Sequence, residues 1–272
     1  MNSVCVPPLA GTHQGRPVTE RLDSALVRLG CFETREQAQR ALLAGEIEIG
    51  GRRDAKPGAK VSVIVEGGCR RLMQGSRELA VAVRERMPYV SRGGVKLAAA
   101  LDAFDIDPAG MLALDIGSST GGFTDCLLQR GARKVYAVDC GTGQLHAKLR
   151  ADGRVVSLEQ TNARFLSREH VPEPPDIVVI DASFISLRLL LPVAAALAHA
   201  GTVVVALVKP QFEAGPKHVG KGGVVRDEHV RRTAVDGIRE AMAGLGWTIL
   251  GEIESPLRGP AGNVEYLLGA RI

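Results

Sequence analysis

Short runs of consecutive apolar residues, each closed by a charged residue or a glycine, recur along the C-terminal two thirds of the chain. They fall at residues 111–116, 134–139, 155–158, 177–181 and 202–208. Runs of four to seven apolar residues without alternation read as strands buried on both faces. The stretches between them are long enough for helices, so the pattern predicts a parallel sheet with crossover helices. Segments 247–253 and 264–269 form a closing pair, giving seven strands with the last antiparallel. A helix opens at Ser91-Arg92-Gly93-Gly94 and runs to about Phe104.

The pattern upstream is different. Residues 21–30 place apolar side chains at helical spacing and stop at Gly30. Thr34, with Gln37 three residues on, starts a second helix through a capping box. Segment 46–49 alternates as a short strand, Gly50-Gly51 makes a turn, Lys56-Pro57-Gly58 makes another, and 61–65 is a further strand. The expected organisation is therefore a flexible tail over 1–19, a small α+β unit over 20–67, a charged linker containing Pro88 over 68–90, and an α/β domain over 91–272.

Composition narrows the class. A chain of 272 residues with 45% hydrophobic content can bury one large core and a smaller one. The net charge of +4 is mild, so any polyanion must be held by local basic patches. Cys5, Cys31, Cys69, Cys126 and Cys140 are scattered, with no C-x-x-C and no Cys/His cluster. No metal site is expected, and the usage fits a reducing cytoplasm. The first residues lack the charged start and apolar core of a signal peptide. The longest apolar stretch, 187–198, is interrupted by Arg188 and Pro192 and is too short for a bilayer. No membrane association and no protein partner are expected.

The most telling segment is Leu112-Ala113-Leu114-Asp115-Ile116-Gly117-Ser118-Ser119-Thr120-Gly121-Gly122-Phe123-Thr124-Asp125. A strand, a glycine turn and a helix in succession bring a ligand against bare backbone and aim helix N–H groups at its anionic part. The glycine spacing is not G-x-G-x-x-G, and no Gly-Lys-Ser/Thr follows, so neither a nicotinamide dinucleotide nor a nucleoside triphosphate is expected. Asp139 ends the next strand, where doubly wound folds place an acid on ribose hydroxyls. Asp115-x-Gly117 followed by Asp139 resembles the S-adenosylmethionine pocket of Rossmann-like methyltransferases. The resemblance assigns Asp115, Gly117, Ser118, Ser119, Gly121, Gly122, Phe123, Asp139 and Asp181 to the cofactor, with Asn162 and Ala163 on the adenine side.

Lys96, Asp181, Lys209 and Glu265 stand near element ends that face the expected cleft. Asp181 and Lys209 close apolar runs, Lys96 opens a helix, and Glu265 sits within the final strand. A carboxylate in an apolar strand needs a partner if buried, and a lysine is the natural one. The order Lys–Asp–Lys–Glu resembles the catalytic tetrad of FtsJ-type ribose 2′-O-methyltransferases. Lys209 would approach the 2′-hydroxyl. It can take a proton only as a neutral amine, a state that nearby Lys96 favours and that Asp181 and Glu265 oppose.

Arg21-Leu22-Asp23, Thr34-Arg35-Glu36-x-Ala38, Ala44-Gly45-x-Ile47-x-Ile49-x-Gly51 and Lys56-Pro57-Gly58 are similar to the S4 RNA-binding domain. That resemblance implies RNA contacts from Arg21, Arg28, Arg35, Arg40, Arg52 and Arg53, made to phosphates and 2′-hydroxyls without reading sequence. Glu46 and Glu48 depart from the pattern and weaken this surface. Ser91-Arg92-Gly93-Gly94-x-Lys96-Leu97, the Asp115 segment, Thr161-Asn162-Ala163-Arg164, Asp181-x-Ser183-Phe184-Ile185-Ser186 and Lys209-Pro210-Gln211-Phe212-Glu213 complete the match. Together they identify the chain as resembling the TlyA (hemolysin A) family, which implies 2′-O-methylation of cytidine in ribosomal RNA or ribosomal subunits. Phe184 and Phe212 would stack on a target base drawn out of its helix, or pack as core. Arg92 would meet RNA phosphates, and Lys217 and Lys221 in the basic loop 215–223 either close over RNA phosphates or belong to an ordinary solvated loop. Two rival readings are a membrane-lytic protein, following the hemolysin label, and a non-catalytic RNA-binding module with a vestigial pocket.

Overall fold

The computed structural model describes residues 19–44, 46–52, 54–66, 69–83 and 88–272. Two compact units divide the chain, Met1–Arg86 and Met87–Ile272. Among the described residues no helix is long and apolar enough to cross a membrane, and no group of three or more His, Cys, Asp or Glu could hold a metal ion.

The first unit contains β1 (Thr19–Arg21), α1 (Leu22–Arg28), α2 (Arg35–Leu43), β2 (Ile47–Ile49), β3 (Lys60–Glu66), β4 (Cys69–Gln74), β5 (Arg77–Leu79) and β6 (Val81–Val83). Leu22, Ala25, Leu26, Ala38, Ala41 and Leu42 pack the two helices over Val61, Val63 and Leu72 of the sheet. Thr34 accepts from Gln37 N at 3.2 Å while Gln37 Oε1 accepts from Thr34 N at 3.4 Å, so the capping box forms. A cap of this kind is worth about 1 kcal/mol. Asp23 is fully buried. Arg21, and after it Arg35, hold its carboxyl down at about 2, through contacts of 2.8 Å and 3.1 Å.

The structure differs from the expected linker over 68–90. Residues 69–83 form strands: β4 pairs antiparallel with β3 and β5, and β6 pairs with β2. β4 lies between β3 and β5, and β5 is an edge. Arg71 and Arg77 are exposed and Arg70 is half-buried, which dilutes the period-two signal, while Leu72 turns inward. Gly75, at φ +60°, makes the β4–β5 turn. The tail expected over 1–19 lies outside the described residues except for Thr19, as do Arg53 and residues 84–87.

The second unit contains α3 (Gly93–Ala103), β7 (Leu112–Ile116), α4 (Gly122–Gln129), β8 (Lys134–Val138), α5 (Ala147–Arg150), β9 (Val155–Leu158) and β10 (Ile177–Ile180). There follow α6 (Leu191–Leu197), β11 (Val203–Val208), α7 (Pro210–Glu213), α8 (Glu228–Gly244), β12 (Thr248–Glu254) and β13 (Tyr266–Arg271). Its seven-stranded sheet runs β12-β13-β11-β10-β7-β8-β9. The strands from β11 to β9 are parallel, and β13 is antiparallel to both its neighbours.

Alternate residues of each central strand feed opposite cores. Leu112, Leu114, Val178, Ile180, Val204 and Ala206 pack under α6 and α8, whereas Ala113, Ile177, Val179, Val203 and Val205 pack under α3 and α4. Burial on both faces explains why these strands read as unbroken apolar runs. The carboxyl ends of β7, β8, β10 and β11 share one edge of the sheet, where open α/β folds bind ligands.

Candidate active site

Two cavities open along that edge. The larger, about 730 Å³, is lined among others by Gly117, Ser119, Asp139, Asn162, Ala163, Asp181 and Phe184. The smaller, about 260 Å³, is lined among others by Arg92, Lys96, Phe123, Lys209, Pro260 and Glu265. Gly117, Ser119, Asp181 and Ser183 line both, so the cavities meet there.

The turn after β7 needs its glycine. Gly117 has φ +86°, and a Cβ there would lie 2.7 Å from the Asp181 carbonyl oxygen. Ser119 follows in the left-handed region at φ +46°, and its N–H donates to Asp139 Oδ2 at 2.8 Å. Asp139 Oδ1 accepts from Gly141 N at 2.7 Å, which fixes this carboxylate at the cavity wall. Asn162 caps the short helical turn of Ala163–Phe165 by accepting from Arg164 N, and both Asn162 and Ala163 line the larger cavity.

Some expected cofactor residues lie behind the wall. Gly121 lines neither cavity and faces Leu145 and Leu149, with its φ of +96° opening α4. Asp115 is fully buried. Its Oδ2 accepts from Thr124 Oγ1 at 2.6 Å, and its Oδ1 has no hydrogen-bond partner among the described residues. Burial pushes its carboxyl up to about 7; the Thr124 hydroxyl opposes this, and the charges of Asp181 and Asp139 add to it.

Lys96, Asp181, Lys209 and Glu265 come together around the smaller cavity as two ion pairs. Lys96 Nζ lies 2.5 Å from Glu265 Oε2, and Lys209 Nζ lies 2.7 Å from Asp181 Oδ1. Lys209 also donates to Ser183 Oγ at 2.8 Å. Glu265 is 1% exposed and Lys209 is 9% exposed, so the pairs are largely shielded from water.

Glu265 corrects the sequence expectation in one respect: it precedes β13 rather than lying within it. Val208 is opposite Tyr266, and beyond that pair Lys209 leads into Pro210, which has no N–H to extend the ladder. Glu265 and Lys209 thus stand one residue past the same end of paired strands.

Phe184 is 91% exposed and sits at φ +63°, unusual for a residue with a Cβ. Its ring centroid is 5.2 Å from that of Phe212, at an interplanar angle of 50°. Glu213 ties the two loops together, accepting from Ser186 Oγ at 2.6 Å and from Leu187 N at 2.8 Å. Lys217 and Lys221 are exposed and line neither cavity.

In the first unit, Arg40 is exposed, Arg28 pairs with Glu20, and Arg52 pairs with Asp54 at 2.8 Å. Arg21 and Arg35 keep exposed guanidinium groups while bonded to Asp23. The sequence motif contains Ser183 but gives it no role, and Gln144 was missed; the latter accepts from Ser119 Oγ at 3.2 Å on the cavity wall. A hydroxyl two residues past a strand-end acid was the available signal for Ser183.

The FtsJ-like methyltransferase family matches residues 89–272, and the S4 domain matches residues 20–63. The chain is 45% identical to the 16S/23S rRNA (cytidine-2′-O)-methyltransferase TlyA of Mycobacterium tuberculosis, over 92% of this chain and 89% of that one. It is 38% identical to a protein named Hemolysin A from Brachyspira hyodysenteriae, over 91% of this chain and 98% of that one. A solved structure from Streptococcus thermophilus that carries a hemolysin name superposes with a TM-score of 0.68 at 42% identity, covering 93% of this chain and 88% of that one.

Proposed function

We propose, for a chain that belongs to the TlyA family of S4-bearing FtsJ-like methyltransferases, that it methylates the 2′-hydroxyl of a cytidine in ribosomal RNA using S-adenosylmethionine. The observation that carries this reading is the meeting of the two cavities at Asp181 and Ser183, with the Lys209 amine held there. The FtsJ-like match and the identity to a methyltransferase-named relative favour it over the membrane-lytic alternative.

The residues present fit the cofactor. The larger cavity falls within the size usual for small-ligand sites. Asp139 stands at its wall for ribose hydroxyls, and Asn162 and Ala163 stand for the adenine side. The charges of Asp181 and Asp139 both help to hold the Asp115 carboxyl up, so the site favours a ligand with positive charge. S-adenosylmethionine, when bound, supplies a methyl group activated on a cationic sulfonium.

Lys209 then works on the ribose side. The charge of Asp181 and the hydrogen bond to Ser183 hold its amine, and in the neutral form that amine orients the 2′-oxygen and receives its proton as the O–C bond forms and the C–S bond breaks. Lys96 and Glu265 neutralise each other beside it, so the second lysine does not compete for Asp181. Phe184 and Phe212 offer a stacking surface to a base that has left its helix. Arg21, Arg28, Arg35, Arg40 and Arg52 meet phosphates of folded RNA, and Arg92, Lys217 and Lys221 do so near the site.

Incubation of the purified protein with methyl-labelled S-adenosylmethionine and ribosomal subunits, followed by mapping of 2′-O-methyl nucleotides, tests the reading. Label at a cytidine is expected from the wild type and none from Lys209→Ala, with cofactor affinity retained in the variant. Absence of wild-type label, or equal label from Lys209→Ala, refutes it.

A further inference from the structure

We infer that Ser183 is a positioning residue that fixes the direction of the Lys209 amine; the inference rests on the methyltransferase reading above. A lysine nitrogen has three directions besides its Cε bond. In this site one of them is fixed by the hydrogen bond to Ser183 Oγ at 2.8 Å. Asp181 Oδ1, at 2.7 Å, attracts the amine as a charge but takes no hydrogen bond, so it does not set a direction. The vertices that Ser183 leaves are those open to the ribose 2′-oxygen.

With Asp181 alone the amine could turn about the terminal side-chain bonds and still keep its ion pair. A second oxygen removes that freedom. Lys96 cannot stand in, because its own amine is engaged with Glu265 at 2.5 Å.

Ser183 is suited to this task and has no competing one. Its Oγ makes a single hydrogen bond among the described residues, the one from Lys209; it caps no helix and ties down no backbone group. It lines both cavities, at the point where a methyl donor in the larger would meet a ribose in the smaller. The segment carrying it is held further on: Glu213 accepts from Ser186 Oγ and Leu187 N, at 2.6 Å and 2.8 Å. The hydroxyl is therefore presented from a fixed loop, and Phe184 in the left-handed region next to it marks a backbone shaped by something other than local preference.

The test compares wild type, Ser183→Ala and Ser183→Thr in steady-state methylation of ribosomal subunits, with cofactor Kd measured by calorimetry. A misplaced reacting group costs about tenfold to a hundredfold, so Ser183→Ala should lose that much kcat while the KM for RNA and the cofactor Kd stay within about twofold. Ser183→Thr keeps the hydroxyl and should retain kcat within about threefold. The inference is overturned if Ser183→Ala keeps kcat within about twofold, if its loss appears in KM or Kd, or if Ser183→Thr falls as far as Ser183→Ala. The two readings fail separately: a wild type that methylates no cytidine overturns the proposed function, whereas an active wild type with an unaffected Ser183→Ala overturns only the role of Ser183.

Discussion

Asp115 gives the second unit a pH-dependent stability whose sign is opposite to that of most carboxylates. Its pKa in the folded protein is raised from 3.8 to about 7, chiefly by burial, so the native state keeps a proton that the unfolded chain has already released. Stability is then greatest below the ordinary carboxylate range, falls as pH rises, and levels off above about pH 7. At 1.36 kcal/mol per pH unit, that interval corresponds to a loss of about 4 kcal/mol at most.

Asp115→Asn cannot ionise and should show no such slope, so the difference between the two proteins isolates this group from every other titrating side chain. The assay is urea denaturation at a series of pH values. It is followed by the fluorescence of Trp247, the chain's one tryptophan, which is buried in the core of the second unit. Relative to the variant, the wild type should lose about 2–3 kcal/mol between pH 5 and pH 7 in the absence of cofactor. Parallel curves across that range would show that Asp115 is not held protonated. A wild type that gains on the variant as pH rises would show that the anion is the favoured form.

Three further outcomes follow from the site geometry. Asp139→Ala should weaken cofactor binding by about 1.5–3 kcal/mol, because ribose hydroxyls lose a charged acceptor; calorimetry reads this, and RNA affinity should not change. Phe184→Gly should cost no stability, and should gain up to about 1 kcal/mol, because it relieves a left-handed backbone at a side chain that is almost fully exposed. The same variant should lower kcat/KM on ribosomal RNA by the equivalent of about 1–3 kcal/mol if the ring stacks on a base, and unchanged turnover would remove that role. Arg40→Ala should lower RNA affinity with little regard to sequence and reduce the slope of log K against log salt by about 1, as read by filter binding. An unaltered slope would place Arg40 away from phosphate.

The parts of this protein that were legible in its sequence are those whose signal is local. β7, β10 and β11 are buried on both faces, and six or fewer consecutive apolar residues announce that directly. Asp181 and Lys209 were visible because each interrupts such a run at its end, and parallel strands gather their carboxyl ends at one edge. The helix after Thr34 was readable because a capping box is a spacing of three residues. The strands of 69–83 were not. A strand of a small antiparallel sheet shows solvent one face, and with Arg71, Arg77 and Glu78 exposed the alternation resembles a charged connector.

What the sequence leaves open is which charges meet. Lys96 and Glu265 are 169 positions apart, and nothing in either neighbourhood chooses Lys96 over Lys209 as the partner of that carboxylate. The choice comes from the end of a ladder. Pro210 follows two residues after Val208, the last residue of β11, which leaves Lys209 and Glu265 level at the sheet edge. Lys209 nevertheless turns to Asp181 on the adjoining strand, while α3 brings Lys96 to Glu265. Two lysines and two carboxylates could share charge in one diffuse cluster, and the fold divides them into a pair that lines the smaller cavity alone and a pair whose Asp181 lines both. That division makes one amine available for chemistry and leaves the other as its neutralised neighbour. It also explains why a single serine, given no role by the sequence motif, becomes informative once the pairs are known: Ser183 Oγ takes a hydrogen bond from Lys209 and carries no charge, so it can fix the direction of the amine without adding to the charge already held by Asp181.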